Sequence, residues 1–265
     1  MNPGRLTWAG HATVRIAVGD RAVLTDPVLS RRVGHLRRLV PVPAGIADGL
    51  SAVLISHMHR DHLDLPTLRR IDPGVPVLAP AGAGPVLRRA GRRTVVEMEP
   101  GTTATAGGLT IRATHAEHDG GASSRGPRVR RAARVPALGF LVEGAVRVWF
   151  AGDTDLFPGM AEVAAGGLDA ALVPVGGWGP TIGPGHLDAE RAARALALMR
   201  PGLAVPIHWG TYAPVGVPRG AGYLRTAGED LARAAARLAP GVTVRVLAPG
   251  GSAGIGARGG GASPG

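Results

Sequence analysis

The chain has 265 residues, 45% of them apolar and 18% charged, a globular balance that excludes a disordered polypeptide. Its length suits one or two domains, and no apolar run approaches the ~18 residues of a membrane-spanning helix. Cysteine is absent, which excludes disulfides, thiolate metal sites and a cysteine nucleophile, and which fits a cytoplasmic protein. The N-terminal residues run directly into a strand-like pattern and lack a signal-peptide core.

Basic residues outnumber acidic ones by 30 to 19, a net charge of +11, and all of the basic residues are arginine. They are scattered except for Arg31-Arg32, Arg37-Arg38 and the stretch from Arg125 to Arg134, and aromatic residues make up only 3%. A nucleic-acid surface clusters its charge or interleaves it with aromatics, so a nucleic-acid partner is not expected.

Leu6–Trp8, Ala12–Val18 and Ala22–Thr25 read as a strand meander turning at Gly19-Asp20. Ala52–Ser56 is a short apolar run, bounded by polar residues, that reads as a buried strand ending at His57. Leu65–Ile71 and Gly84–Ala90 read as helices, with strands at Val75–Leu78 and Thr94–Met98. Further strands are predicted at Gly108–Thr114, Ala137–Val142, Val146–Ala151 and Asp169–Val173. Asp188 is an N-cap for a helix over Ala189–Met199, which Pro201-Gly202 stops. Leu203–Ile207 is a strand ending at His208, Gly228–Leu238 a helix and Val242–Leu247 a last strand. One α/β domain over residues 1–249 is the simplest organisation. The Gly/Ala/Ser-rich residues 250–265 read as a disordered tail.

Six of the nine histidines gather where predicted strands end. His57-x-His59-x-Asp61-His62 follows one strand, His115-x-x-His118 another and His208 a third, while Asp153 follows a fourth. Polar groups at the ends of buried strands build a site along one edge of a sheet. In an extended segment His57 and His59 project to the same side and can reach one ion, and Asp61 and His62 follow after a bend. Imidazole and carboxylate without thiolate suit zinc, and equally manganese or iron. This cluster is read as a metal site.

The cluster, together with Gly152-Asp153-Thr154 and Ile207-His208-Trp209-Gly210-Thr211, resembles the metallo-β-lactamase-fold hydrolases. Trp8-Ala9-Gly10-His11-Ala12-Thr13, Leu24-Thr25-Asp26-Pro27-Val28 and His186-Leu187-Asp188-Ala189-Glu190 narrow the likeness. They resemble the branch of N-acyl-phosphatidylethanolamine phospholipase D and the ascorbate-phosphate lactonases. The resemblance implies a four-layer αβ/βα sandwich holding two divalent metal ions, zinc foremost. It implies that His57, His59 and His118 hold one ion, that Asp61, His62 and His208 hold the other, and that Asp153 bridges them. His115 is the rival of His118 and otherwise a residue that orients the ligands, the role also implied for His11 and Asp26. His35, among arginines and outside any motif, reads as a surface residue.

The activity so implied is hydrolysis by a hydroxide shared between the ions, on an anionic small molecule of phosphodiester type. A lactonase or amidohydrolase on the same metals is the alternative, and a basic RNA-binding or nuclease-like protein the alternative of another class. Asp61 would orient the hydroxide, and His186 would contact the substrate or steady a developing oxyanion. Arg125 would hold an anionic group, and Trp178 would form an apolar lid in a glycine-rich loop. The chain departs from the branch at Met58, where Asp or Asn is frequent, and at Arg60, where an aromatic residue is usual.

Overall fold

A computed structural model describes residues 3–119 and 135–256 of the chain. It opens with β1 (Gly4–Gly10), β2 (Thr13–Val18) and β3 (Arg21–Thr25), followed by a small hairpin of β4 (Arg32–Val33) and β5 (Leu36–Arg38). Next come β6 (Ala52–Leu54), α1 (Leu65–Leu68), β7 (Val77–Pro80), α2 (Gly84–Arg89) and β8 (Val95–Met98). An antiparallel run follows: β9 (Thr103–Ala106), β10 (Leu109–His115), β11 (Leu138–Glu143) and β12 (Arg147–Phe150). The remainder holds α3 (Met160–Val163), β13 (Ala170–Pro174), α4 (Ala189–Met199), β14 (Leu203–Ile207) and β15 (Tyr212–Pro214). It closes with α5 (Tyr223–Leu238), β16 (Thr243–Val244) and β17 (Ser252–Ile255).

The strands form two seven-stranded sheets, ordered β17-β1-β2-β3-β6-β7-β8 and β16-β14-β13-β12-β11-β10-β9, and a small sheet β15-β5-β4. Period-two alternation explains why the central strands read as unbroken apolar runs. Leu172 of β13 faces the core between the sheets with Leu54, Phe140, Phe150 and Val205. Its neighbours Ala171 and Val173 face the other way, against Leu196 of α4 and Leu231 of α5. In the first sheet Val53 and Val77 likewise turn outward onto Leu68 of α1 and Leu87 of α2. The result is helix, sheet, sheet, helix, the four-layer sandwich expected from the sequence.

Local chemistry sets the element ends. The Asp188 carboxylate accepts the Arg191 backbone N–H at 2.8 Å and caps α4, which ends where Arg200 takes a left-handed φ of 48°. α5 begins earlier than its predicted start at Gly228. That glycine lies inside the helix, where an added Cβ would sit 2.6 Å from the Trp209 ring, so it serves close packing rather than helix initiation. β16 is shorter than predicted, because it pairs only Thr243 and Val244 with β14 before the chain leaves for the first sheet.

The expectation of a disordered tail from residue 250 is corrected. Ser252–Ile255 forms β17, antiparallel to β1, and buries Ala253 and Ile255 in the core between the sheets. Residues 257–265 lie outside the described residues. No helix among the described residues is long and apolar enough to cross a membrane. Ile255→Ala should therefore cost about 2 kcal/mol or more in urea unfolding. A solvated tail would give a change within ~0.5 kcal/mol.

Candidate metal centre

Strands β1, β3, β6, β10, β12, β13 and β14 each end at a residue or loop that faces one edge of the sandwich. The pairings make β1, β3 and β6 run in one direction within the first sheet, and β10, β12, β13 and β14 in one direction within the second. The two sheets are tied at this edge, where the Leu138 N–H donates to the Ser56 carbonyl at 2.9 Å. The turn out of β12 needs Gly152, at φ 64°, because an added Cβ would lie 2.7 Å from the Leu138 carbonyl and 2.8 Å from Ser56 Cβ.

The early motif and the late one lock together. Trp8 Nε1–H and the His208 N–H both donate to the His11 carbonyl, at 2.8 and 2.9 Å, while the His11 N–H donates to Thr211 Oγ1 at 2.7 Å. The Trp8 and Trp209 rings stack at 5.5 Å. Three of the four non-glycine residues with positive φ, His11 (54°), Asp26 (33°) and His208 (65°), sit in this constellation, a local strain held by the surrounding hydrogen bonds.

Around that frame the donor atoms converge. His57 Nε2 lies 3.0 Å and His118 Nε2 3.2 Å from His59 Nδ1. His62 Nε2 lies 3.1 Å from His208 Nε2 and 3.1 Å from Asp153 Oδ2, and His208 Nε2 lies 3.3 Å from Asp153 Oδ1. Asp61 Oδ2 stands 3.8 Å from His208 Nε2 and 3.9 Å from His62 Nε2.

The back nitrogens fix the tautomers. His118 Nδ1 bonds the Gly185 carbonyl at 2.9 Å and His208 Nδ1 the Gly176 carbonyl at 2.8 Å. A carbonyl only accepts, so both rings carry the proton there and turn a lone pair inward. Burial holds His208 down at about 3 and pushes His57, His59 and His118 below the ordinary imidazole value, so these rings stay neutral. Burial also acts against a charged His62, but the carboxylates of Asp153 and Asp26 outweigh it and raise that group well above the ordinary value. Burial likewise opposes ionisation of Asp153 and Asp61. The surrounding histidines outweigh it, led by His208 at Asp153 and by the His11 hydrogen bond at Asp61, and hold both carboxyls well below the usual range.

Lone pairs of neutral nitrogens that face one another about 3 Å apart repel unless a proton or a metal cation stands between them. The edge of a tetrahedron of nitrogens around zinc, at about 2.0–2.1 Å per bond, is about 3.3 Å. Asp153 Oδ1 is buried and accepts no hydrogen bond. The residues present therefore fit divalent ions. Four groups offer ligand atoms within 4.8 Å of one another: His57/His59/His118, His11/Asp61/His62/His208, Asp26/His57/His62 and His118/Asp153/His186.

Asp26 meets the back nitrogen of His62, and His11 stands beside Asp61 among the converging donors. Asp26 is fully buried, accepts the Ser56 N–H at 2.7 Å and the Ser56 hydroxyl at 2.5 Å, and bonds His62 Nδ1 at 2.7 Å. His11 Nε2 reaches Asp61 Oδ2 at 3.2 Å. His186 lines the cavity with Nε2 3.4 Å from Asp153 Oδ2. Trp178 lines the same cavity, and its indole N–H donates to Asp61 Oδ2 at 3.2 Å.

His115 departs from its expected orienting role. Its ring turns outward, half exposed, to Glu117 at 3.3 Å and edge-on to Phe157, beside a different surface cavity. β10 continues through His115, so strand alternation decides its direction, whereas His118 lies past the strand end. Arg125 and the basic stretch to Arg134 lie outside the described residues. Sequence reasoning missed Ser56, which bonds both Asp26 and His57 Nδ1, although its place just before His57 was the available signal. It also missed His35, whose ring packs edge-on against Trp178 at 5.1 Å.

The model of the beta-lactamase superfamily domain matches residues 21–209, most of the chain and all of the converging donors except His11. The chain belongs to the beta-lactamase superfamily. A UPF0173 metal-dependent hydrolase of Deinococcus radiodurans is 35% identical over 91% of this chain and 95% of its own length, which places the chain in the UPF0173 family. An uncharacterized protein of Mycobacterium tuberculosis is 32% identical over 78% of this chain. The matched region covers 59% of that relative, so the chain spans about three-fifths of its length. The metallo-β-lactamase fold protein YhfI of Bacillus subtilis superposes with a TM-score of 0.66 at 18% identity, over 95% of this chain and 99% of its own, and shows the shared fold.

In this superfamily member the Gly152 turn carries the central carboxylate, and its geometry gives a test. Gly152→Ala should lower stability by at least ~2 kcal/mol in urea unfolding, combining left-handed strain with the clash. Gly19→Ala has a similar φ of 59° and nothing within 4 Å of the new Cβ, so it should show the strain alone.

Proposed function

We propose that this chain is a dinuclear metal-dependent hydrolase of small anionic esters, phosphodiesters foremost. The observation that carries the reading is the division of the converging donors into two sets around one carboxylate. His57, His59 and His118 would hold the first ion, Asp61, His62 and His208 the second, and Asp153 would bridge them. The all-nitrogen and oxygen donor set suits zinc, with manganese or iron as alternatives. When bound, two such ions lower the pKa of a shared water and polarise a phosphoryl or carbonyl oxygen.

The chain's own residues do the rest. Asp26 and the Gly176 and Gly185 carbonyls hold His62, His208 and His118 in the tautomers that face inward. Asp61 is steadied by His11 and Trp178 at one oxygen, which leaves the other to orient the attacking water. His186, on the glycine-rich loop, is placed to meet the oxygen on which charge develops. The cavity over the cluster holds about 400 Å³, the size of a small-molecule site, and the net charge of +11 favours anions.

Elemental analysis of protein purified without chelator should find about two metal equivalents per chain. Asp153→Ala should lower this count and cut turnover of bis(p-nitrophenyl) phosphate by more than ~100-fold, beyond the loss of an orienting partner. His118→Ala should lose metal while His115→Ala keeps it. A metal-free parent, or an active Asp153→Ala, overturns the reading. Asp26→Asn should fold and bind metal ~10–100-fold more weakly in a chelator competition, because it releases the His62 tautomer.

A further inference from the structure

A second cavity, also about 400 Å³, lies beside the one over the donor cluster. The two share Arg60, Asp61 and Trp178, so the Trp178 indole stands as a partition with the metal centre on one side. On the other side the wall is the tip of the β4–β5 hairpin, residues 33–36, which brings His35 edge-on to the indole. The partition is held firmly. Its N–H bonds Asp61, and its ring packs on the cluster of Val28, Val33, Leu36 and Tyr212.

Arg60 is the cationic group at this boundary, which it shares with the Asp61 carboxylate. It is exposed, lines both cavities, and among the described residues makes no hydrogen bond or ion pair. The other arginine of this region, Arg38, is committed to the Ala9, Val28 and Val40 carbonyls and the Tyr212 hydroxyl. A guanidinium free of protein partners, on the loop that carries His59 and Asp61, has its donor fork available to a planar or tetrahedral oxyanion. Ring edges on His35 and Trp178 add a concave floor beneath it.

We infer that Arg60 and His35 form a second subsite, which takes a non-reacting oxyanion on the arm of the substrate beyond Trp178. The scissile bond lies on the other side of the indole. The inference rests on the hydrolase reading for the placement of that bond, and the subsite itself can be tested without turnover. The small sheet β15-β5-β4 thereby acquires a role in substrate selection through its hairpin tip.

The test uses the metal-loaded full chain and Arg60→Ala, Arg60→Lys and His35→Ala, each first shown by elemental analysis to match the parent in metal content. Calorimetric titration with glutarate and, separately, with methylphosphonate tells a carboxylate from a phosphate-like preference. At least one should bind the parent about tenfold more tightly than it binds Arg60→Ala, with Arg60→Lys between them. Kinetics then compare two p-nitrophenyl esters, the glutarate monoester and the neutral valerate. Arg60→Ala should raise KM for the glutarate ester about tenfold more than for the valerate, with the loss in KM rather than kcat. Absence of binding of either anion to the parent, or equal binding by parent and Arg60→Ala, overturns the subsite. If the parent hydrolyses neither ester nor bis(p-nitrophenyl) phosphate but binds the anion through Arg60, the subsite stands and the hydrolase reading fails.

Discussion

The structure depends on packing several buried imidazole rings and a carboxylate with their ligand atoms about 3 Å apart. His57, His59 and His118 approach to within 3.0–3.2 Å, and His62 and His208 to 3.1 Å, around a carboxylate with a bare buried oxygen. Such an arrangement is unfavourable on its own, since burial removes the water that would separate the donors. It persists because Ser56, Asp26 and the Gly185 and Gly176 carbonyls hold His57, His62, His118 and His208 from behind, and because the strands that deliver them are buried on both faces.

Rigidity at this edge comes from contacts between segments far apart in the chain. The His11 carbonyl collects N–H donors from Trp8 and His208, and the Thr211 hydroxyl accepts the His11 N–H. The ends of β1 and β14, which lie in different sheets, are thereby clipped together. The backbone strain at His11 and His208 lies in this clip, and that at Asp26 lies just past the end of β3.

Above the donors the walls are of two kinds. One is a glycine-rich loop, which brings the backbone close and contributes Trp178 and His186. The other is the small third sheet, whose hairpin tip reaches the far side of the indole. The donor cluster sets the chemistry, and these walls set what reaches it. The walls are also where the chain departs from its resemblance, at Arg60.

Much of this was legible in the sequence because it is locally encoded. Helix α4 and strand β14 lie at their predicted bounds, since an Asp N-cap, a Pro-Gly stop and an apolar run act over a few residues. The donor types and their positions after apolar strands came from the same local pattern, whereas the four layers were implied by the resemblance to the metallo-β-lactamase-fold hydrolases. The tertiary structure decided what depends on distant partners. β17 forms by pairing with β1, across a separation such as the 245 residues between Thr7 and Ser252, and no local period announces it. The β4, β5 and β15 strands are too short to show a pattern and exist through their mutual pairing. The same holds for direction. Strand alternation turns His115 outward and the following bend turns His118 inward, and packing on the indole brings His35 to the site. Sequence fixes which groups are available at a strand end, while only the packed sheets fix which way each one points.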